Sequence, residues 1–282
     1  MNPTAVLLIV CPDRKGLVAT ISSLLYGHGA NILHADQHQD REAQLFFMRV
    51  EWALDNFNLP AFRQELQPVA ERLQMRWRLE LSSDLLNVAI FVSRYQHCLS
   101  DLLYRHKAGE LPCSIRLILS NHPDARPLAE FHEIPFHHIS LSTANKAEAE
   151  QKQVRLLREH DIDLIVLARY MQVLSAEFVA RYPERIINVH HSFLPAFTGA
   201  KPYHAAFSRG VKLIGATSHY VTDALDEGPI IEQDVARISH RSQVEDLIEK
   251  GRDLERLVLS RAVRWHLEHR ILCYGNKTVI FD

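Results

Sequence analysis

Four short, predominantly apolar runs recur after residue 85: residues 86–92 (LNVAIFV), 114–119 (SIRLIL), 163–168 (DLIVLA) and 185–189 (RIINV). A strand with one wet face alternates apolar and polar residues. Runs without that alternation belong to strands covered by helices on both faces. Amphipathic stretches lie between them, including HCLSDLLYRH at 97–106 and EAEQKQVRLLREH at 148–160. Strands alternating with helices predict an α/β, Rossmann-like domain with a mainly parallel sheet. In such a sheet the active site lies beyond the carboxyl ends of the strands.

The residues before this region carry a different pattern. AVLLIVC (5–11) is a buried-strand run that stops at Pro12-Asp13, and the helical spacing of Leu17, Ile21, Leu24 and Leu25 is ended by Gly27 and Gly29. Two strands are expected over 31–39 and 44–52, separated by the polar turn 40–42. A helix after Pro60 and a strand at 75–81 (MRWRLEL) complete a βαββαβ order. That order folds as a ferredoxin-like antiparallel sheet with both helices on one face. At about 150 residues per domain, 282 residues make two domains. The polar Ser82-Ser83-Asp84 sets the expected division at 1–83 and 84–282.

Charge and cysteine usage exclude several partners. With 32 Lys+Arg against 34 Asp+Glu, a net charge of −2 offers no basic field for nucleic acid. No apolar stretch approaches the roughly 20 residues of a membrane helix, and MNPTAVLLIVC has no cation before its apolar run, so neither a membrane span nor a signal peptide is expected. Cys11, Cys98, Cys113 and Cys273 form no CxxC pair, and a soluble protein of the reducing cytoplasm is expected. Seventeen histidines are the compositional oddity. His34 and His38 lie on an expected strand, where a rise of about 3.3 Å per residue holds their rings about 13 Å apart, too far for one metal ion. No metal site is expected.

The segment CPDRKGLVATISSLLYGHGANI resembles the amino-acid-binding ACT domain. The resemblance implies an effector site at Asp13, Arg14, Gly16 and Asn31, shared with a partner subunit, and hence a homo-oligomer. Backbone N–H groups at a helix N-terminus favour a carboxylate, and glycine permits close approach. The other reading makes Asp13 a turn residue, Arg14 a solvated side chain and the domain a dimerisation module.

In the second domain, Asn188 and His190 share a strand face by the period-two rule, and Asp226 follows in LDEGP. A carboxamide can donate to an oxyanion, an imidazole can move a proton, and a carboxylate can orient water or an imidazolium; together they suit acyl transfer or hydrolysis. Taken singly, each of the three also reads as a turn or loop residue. The pattern Asn188-x-His190-x-Ser192-x-Leu194-Pro195, followed by His219-x-x-Thr222-x-x-x-Asp226-x-Gly228-Pro229, is similar to the formyltransferase fold that uses 10-formyltetrahydrofolate. The resemblance implies catalytic Asn188, His190 and Asp226, with Met171, Leu174, His219 and Thr222 at the folate.

The acceptor then distinguishes the members of that fold. Glycinamide ribonucleotide transformylases cradle a phosphate in a Gly-rich loop after the first strand, but here residues 93–98 read SRYQHC, without glycine. Methionyl-tRNA formyltransferases carry a further RNA-binding domain, and this chain stops soon after the expected fold. An ACT segment joined to a formyltransferase segment, with NVHHSFLPAF and GAKPYHAAF, resembles the formyltetrahydrofolate deformylases. That resemblance implies hydrolysis of 10-formyltetrahydrofolate as substrate, with no separate cofactor, formate supplied to purine synthesis and balanced one-carbon folate pools. Because such an activity competes for the formyl donor, metabolic logic makes one-carbon products such as glycine or methionine the expected amino-acid effectors. Transfer to a small amine acceptor is the alternative. His191 is expected to face away from His190, and Lys201 is a candidate for the folate's glutamate tail.

Overall fold

The computed structural model describes residues 3–196 and 202–282. The chain divides into two compact units, the first running through Leu85 and taking in Glu268–Leu272 and Val279–Asp282, the second comprising Leu86–Leu267 and Cys273–Thr278. The C-terminal assignment departs from the division at 83/84 read from the sequence, which ran the second domain to 282. Buried Arg49 is the physical reason. Its guanidinium donates to the carbonyls of His269 (3.1 Å) and Glu268 (3.2 Å), and Arg78 donates to Ile271 (3.1 Å), so the tail satisfies charged donors of the first unit.

In the first unit the strands β1 (Thr4–Pro12), β2 (Asn31–Asp40), β3 (Leu45–Ala53) and β4 (Arg76–Leu81) form an antiparallel sheet of order β2-β3-β1-β4, with helices α1 (Leu17–Gly27) and α2 (Leu59–Arg72). The expected βαββαβ order is the observed one. Leu17, Ile21 and Leu25 of α1, and Phe62, Leu66 and Ala70 of α2, share one core with Leu7, Ile9, Met48, Val50 and Trp52 of the sheet. β2 is different: nine of its ten residues are exposed.

The second unit begins with β5 (Leu86–Val92), α3 (His97–Lys107), β6 (Cys113–Ser120), α4 (Arg126–Phe131), β7 (Phe136–His138), α5 (Lys146–Glu159) and β8 (Leu164–Ala168). It continues through α6 (Ala176–Val179), β9 (Ile186–His190), α7 (Pro202–Arg209), β10 (Leu213–Tyr220), β11 (Ile230–Arg237) and the long helix α8 (Val244–Leu267). Its seven strands run β11-β10-β9-β8-β5-β6-β7, parallel from β9 to β7 and antiparallel at β10 and β11. A mainly parallel sheet is what the apolar runs require, since β8 is buried at every residue. The strands β12 (Ile271–Tyr274) and β13 (Lys277–Ile280) pair as a hairpin. Among the described residues no helix is long and apolar enough to cross a membrane, and all four cysteines are buried and outside any disulfide.

Candidate active site

β8 and β9 are parallel and end at Ala168 and His190, so the loops that follow them leave the same edge of the sheet. A cavity of about 420 Å³ opens there, lined by Asn188 and His190 of β9, by Met171 and Leu174 after β8, and by His219, Thr222 and Asp226. All seven residues assigned to catalysis or folate from the sequence therefore meet in one place.

Antiparallel pairing sets His219 of β10 opposite Asn188. The ladder to β11 shifts register between Ser218 and His219, a local irregularity of the kind that re-aims side chains beside active sites. His219 Nδ1 lies 2.9 Å from the carbonyl of Tyr220, which can only accept, so Nδ1 carries the hydrogen. In the neutral ring Nε2 then accepts from Asn188 Nδ2 at 3.2 Å. This contact orients the carboxamide and leaves its second N–H for a ligand.

Asp226 is delivered by the loop between β10 and β11. Its backbone is left-handed, with φ +57°, a conformation that costs a non-glycine residue about 1–3 kcal/mol and is concentrated at functional sites. Two residues on, a Cβ at Gly228 would stand 1.8 Å from the Tyr220 carbonyl oxygen, so only glycine lets the loop close back on β10. There the Tyr220 N–H donates to the Pro229 carbonyl at 2.9 Å. Asp226 Oδ2 lies 3.2 Å from His190 Nδ1, and Oδ1 lies 3.7 Å from His219 Nε2. The His190 hydrogen bond, supported by His219, holds the Asp226 carboxyl well below the usual carboxylate range despite its burial. At 3.7 Å the contact with His219 is too long for a hydrogen bond. His190 Nε2, on the opposite side of the ring, is buried and has no hydrogen-bond partner among the described residues.

His191 is not turned away from this site. β9 ends at His190, so strand alternation no longer applies one residue later, and the two imidazole rings lie 5.1 Å apart. Burial, with the Arg169 charge adding to it, pushes the His191 imidazole down to about 4, so it is neutral near pH 7. Lys201 lies outside the described residues.

Sequence reasoning missed a cluster on the far side of His191. Glu255 of α8, only 1% exposed, accepts from Tyr203 at 2.8 Å, contacts His97 Nε2 at 2.7 Å and lies 3.3 Å from Arg169 Nε. Burial alone would raise its carboxyl; the His97 hydrogen bond and the Arg169 charge hold it below the usual value. The signal was present, because Glu255 falls on the apolar stripe of an amphipathic helix beside Leu254 and Val258. His97, Cys98 and Glu255 group within 4.8 Å of one another. This donor set does not suit a cation: both Glu255 oxygens are engaged, a guanidinium stands beside them, and burial pushes the Cys98 thiol up.

In the first unit, Gly16 caps α1 with φ +89° and Asp13 accepts from Gln39, while Arg14 reaches Gln74 at 3.3 Å. Asn31 is not brought to them within one chain. It pairs with Ala53, whereas Gln39 pairs with Phe46, placing Asn31 roughly 23 Å from the Asp13 end at about 3.3 Å per residue.

Comparison with known proteins agrees with this geometry. The Formyl transferase family matches residues 86–263 and the ACT domain family matches residues 5–57. A formyltetrahydrofolate deformylase from Synechocystis sp. is 54% identical, with 99% of each chain covered. The crystal structure of a formyltetrahydrofolate deformylase from Pseudomonas syringae superposes with a TM-score of 0.97 at 48% identity, covering 100% of this chain and 95% of that one. A glycinamide ribonucleotide transformylase from Symbiobacterium toebii matches at TM-score 0.66 and 28% identity over 70% of this chain and 95% of its own. With relatives of this similarity aligned along both units, the chain belongs to the formyltetrahydrofolate deformylase family.

Proposed function

We propose that the protein hydrolyses 10-formyltetrahydrofolate to formate and tetrahydrofolate. The observation that carries this reading is the convergence of a free Asn188 N–H and the unpartnered His190 Nε2 on one cavity, with Asp226 behind His190. Water attacks the formyl carbon while His190 Nε2 takes one of its protons. Asp226, ionised and held on Nδ1, stabilises the imidazolium. Asn188 donates to the oxyanion of the tetrahedral intermediate. The oxyanion then reforms the C=O bond, the C–N10 bond breaks, and His190 returns its proton to N10. Formic acid leaves and ionises, so one water yields tetrahydrofolate, formate and a proton.

Met171, Leu174 and Thr222 are the residues proposed to hold the pterin. Met171 is 48% exposed at the cavity mouth, the state of an apolar side chain awaiting a flat ligand. No amine acceptor enters this scheme. Its test is to incubate the protein with 10-formyltetrahydrofolate alone and measure formate. Stoichiometric formate and tetrahydrofolate are expected, and a strict need for an added amine would replace hydrolysis by transfer.

The first unit serves as the amino-acid sensor in this reading, with glycine or methionine as effector. The separation of Asn31 from Asp13 and Gly16 supports a site completed by a second copy of the chain, so that Asn31 of one copy faces the Asp13 loop of the other. Formate released in this way would supply purine synthesis.

A further inference from the structure

A second cavity, of about 320 Å³, adjoins the formyl site and shares Arg169, Met171 and His191 with it. Tyr95, His97, Tyr203, Arg252 and Glu255 contribute to its remaining walls. The pterin scheme above leaves this space unused.

Its charge is unbalanced. Glu255 is the one carboxylate in the lining, and both of its oxygens are already engaged by Tyr203, His97 and the Arg169 Nε side. Arg169 is 9% exposed, yet its Nη1 is buried with no hydrogen-bond partner among the described residues, and its Nε is near Glu255 without hydrogen-bond alignment. Such a donor is costly to leave unmet. Arg169 also holds a left-handed backbone, φ +62°, directly after β8. Arg252 lies across from it with no carboxylate partner among the described residues. The Tyr95 ring sits near both guanidiniums, at 5.8 Å from Arg169 and 5.7 Å from Arg252. A cation or an amine would meet two guanidiniums and an occupied carboxylate; a small anion meets unmet donors.

We propose that this cavity is a subsite for a small carboxylate, and that its occupant is the formate released next door. The assignment rests on the hydrolytic reading above, which releases formate into a cavity that Arg169 also lines. His190 and His191 are ring neighbours, and His191 lies 5.9 Å from Tyr203, so the two cavities meet across His191. At about 30 Å³ per water, the space accommodates formate together with several waters. Product leaves the formyl site toward Arg169 and Arg252 without passing the pterin, and formate bound there is not displaced by fresh substrate.

The test uses sodium formate as the probe, with sodium chloride at matched ionic strength as its control, on initial rates of tetrahydrofolate release and on formate binding by ¹³C NMR. Formate is expected to inhibit at millimolar concentration even at saturating substrate, and chloride is not. Arg252→Gln and Arg169→Met are each expected to weaken formate inhibition and binding about tenfold, the loss of a charge-assisted contact. Arg116→Gln, an exposed charge on β6, is expected to leave both unchanged. If Arg169→Met fails to fold, Arg252→Gln decides alone. Equal effects of formate and chloride, stronger inhibition by inorganic phosphate than by formate, or unaltered formate binding in Arg252→Gln would each overturn the proposal. A chain that binds formate through these arginines yet releases none from 10-formyltetrahydrofolate would sink the hydrolytic reading and leave the anion site standing.

Discussion

Asn188 Nδ2 lies 3.2 Å from Nε2 of His219, a ring whose Nδ1 is tied to the Tyr220 carbonyl at 2.9 Å. The carboxamide is thereby presented with one N–H committed and one directed at the ligand. Pre-orientation of this kind is how a neutral donor becomes effective against a transient oxyanion. Asn188→Ala is expected to lower kcat by about 10²–10³, or about 2.7–4 kcal/mol, with a smaller effect on KM. Steady-state kinetics check this, and a purely KM effect would place Asn188 in ground-state binding.

Asp226→Asn keeps the shape but removes the charge that holds His190 Nδ1–H. A loss of about 10³–10⁴ in kcat is expected, as in other imidazole–carboxylate pairs. The same change tests stability. The folded-state pKa of Asp226 is depressed, so its contribution is present above the unfolded value and fades as pH falls toward the folded one. Wild type is therefore expected to exceed Asp226→Asn in stability at neutral pH, with the gap narrowing in acid. Near-normal turnover by a folded Asp226→Asn would remove Asp226 from the mechanism.

His191 supplies a pH dependence of the same sign in a higher window. Its folded value of about 4 lies below the ordinary 6.5, so between those limits the unfolded chain binds a proton that the folded chain refuses. Stability is thus expected to fall with pH across that window, by about 3 kcal/mol at about 1.4 kcal/mol per pH unit. Urea midpoints of wild type and His191→Gln from pH 7 to 4 measure it. Equal slopes for the two would show that His191 does not stay neutral.

Gly228→Ala places a methyl group against the Tyr220 carbonyl, backbone against backbone. The loop must shift, carrying Asp226 off His190. We expect about 2–4 kcal/mol of destabilisation and a loss of turnover out of proportion to it. Unchanged Tm and activity would mean that the close approach is absent in solution.

For the first unit, millimolar glycine or methionine is expected to shift either Tm or turnover. The response should vanish in Asp13→Ala. Indifference of the wild type to both amino acids would leave the ACT unit without either effector.

Periodicity carried most of the architecture. The apolar runs at 86–92 and 163–168 can only be strands covered on both faces, and the order of elements before residue 82 admits a single small sheet with two helices. The Asn188–His190 spacing placed both residues on one strand face. Five strands escaped notice: β7 has three residues, β10 interrupts its apolar residues with Thr217, Ser218 and His219, β11 is half polar, and the β12–β13 hairpin has four residues per strand.

Local pattern therefore determined which residues are strand, helix and turn, and brought Asn188 and His190 together, because period-two spacing is a property of the backbone. Partners far apart in sequence were decided by tertiary structure. The pairing of β10 with β9 put His219 against Asn188, and a left-handed residue in a glycine-closed loop brought Asp226 to His190. The packing of α8 buried Glu255 among His97, Arg169 and Tyr203. A charge on an apolar stripe announces that a partner must exist, since a lone buried charge is too costly to keep. Which residue supplies that partner depends on how the elements pack, and no local spacing encodes it.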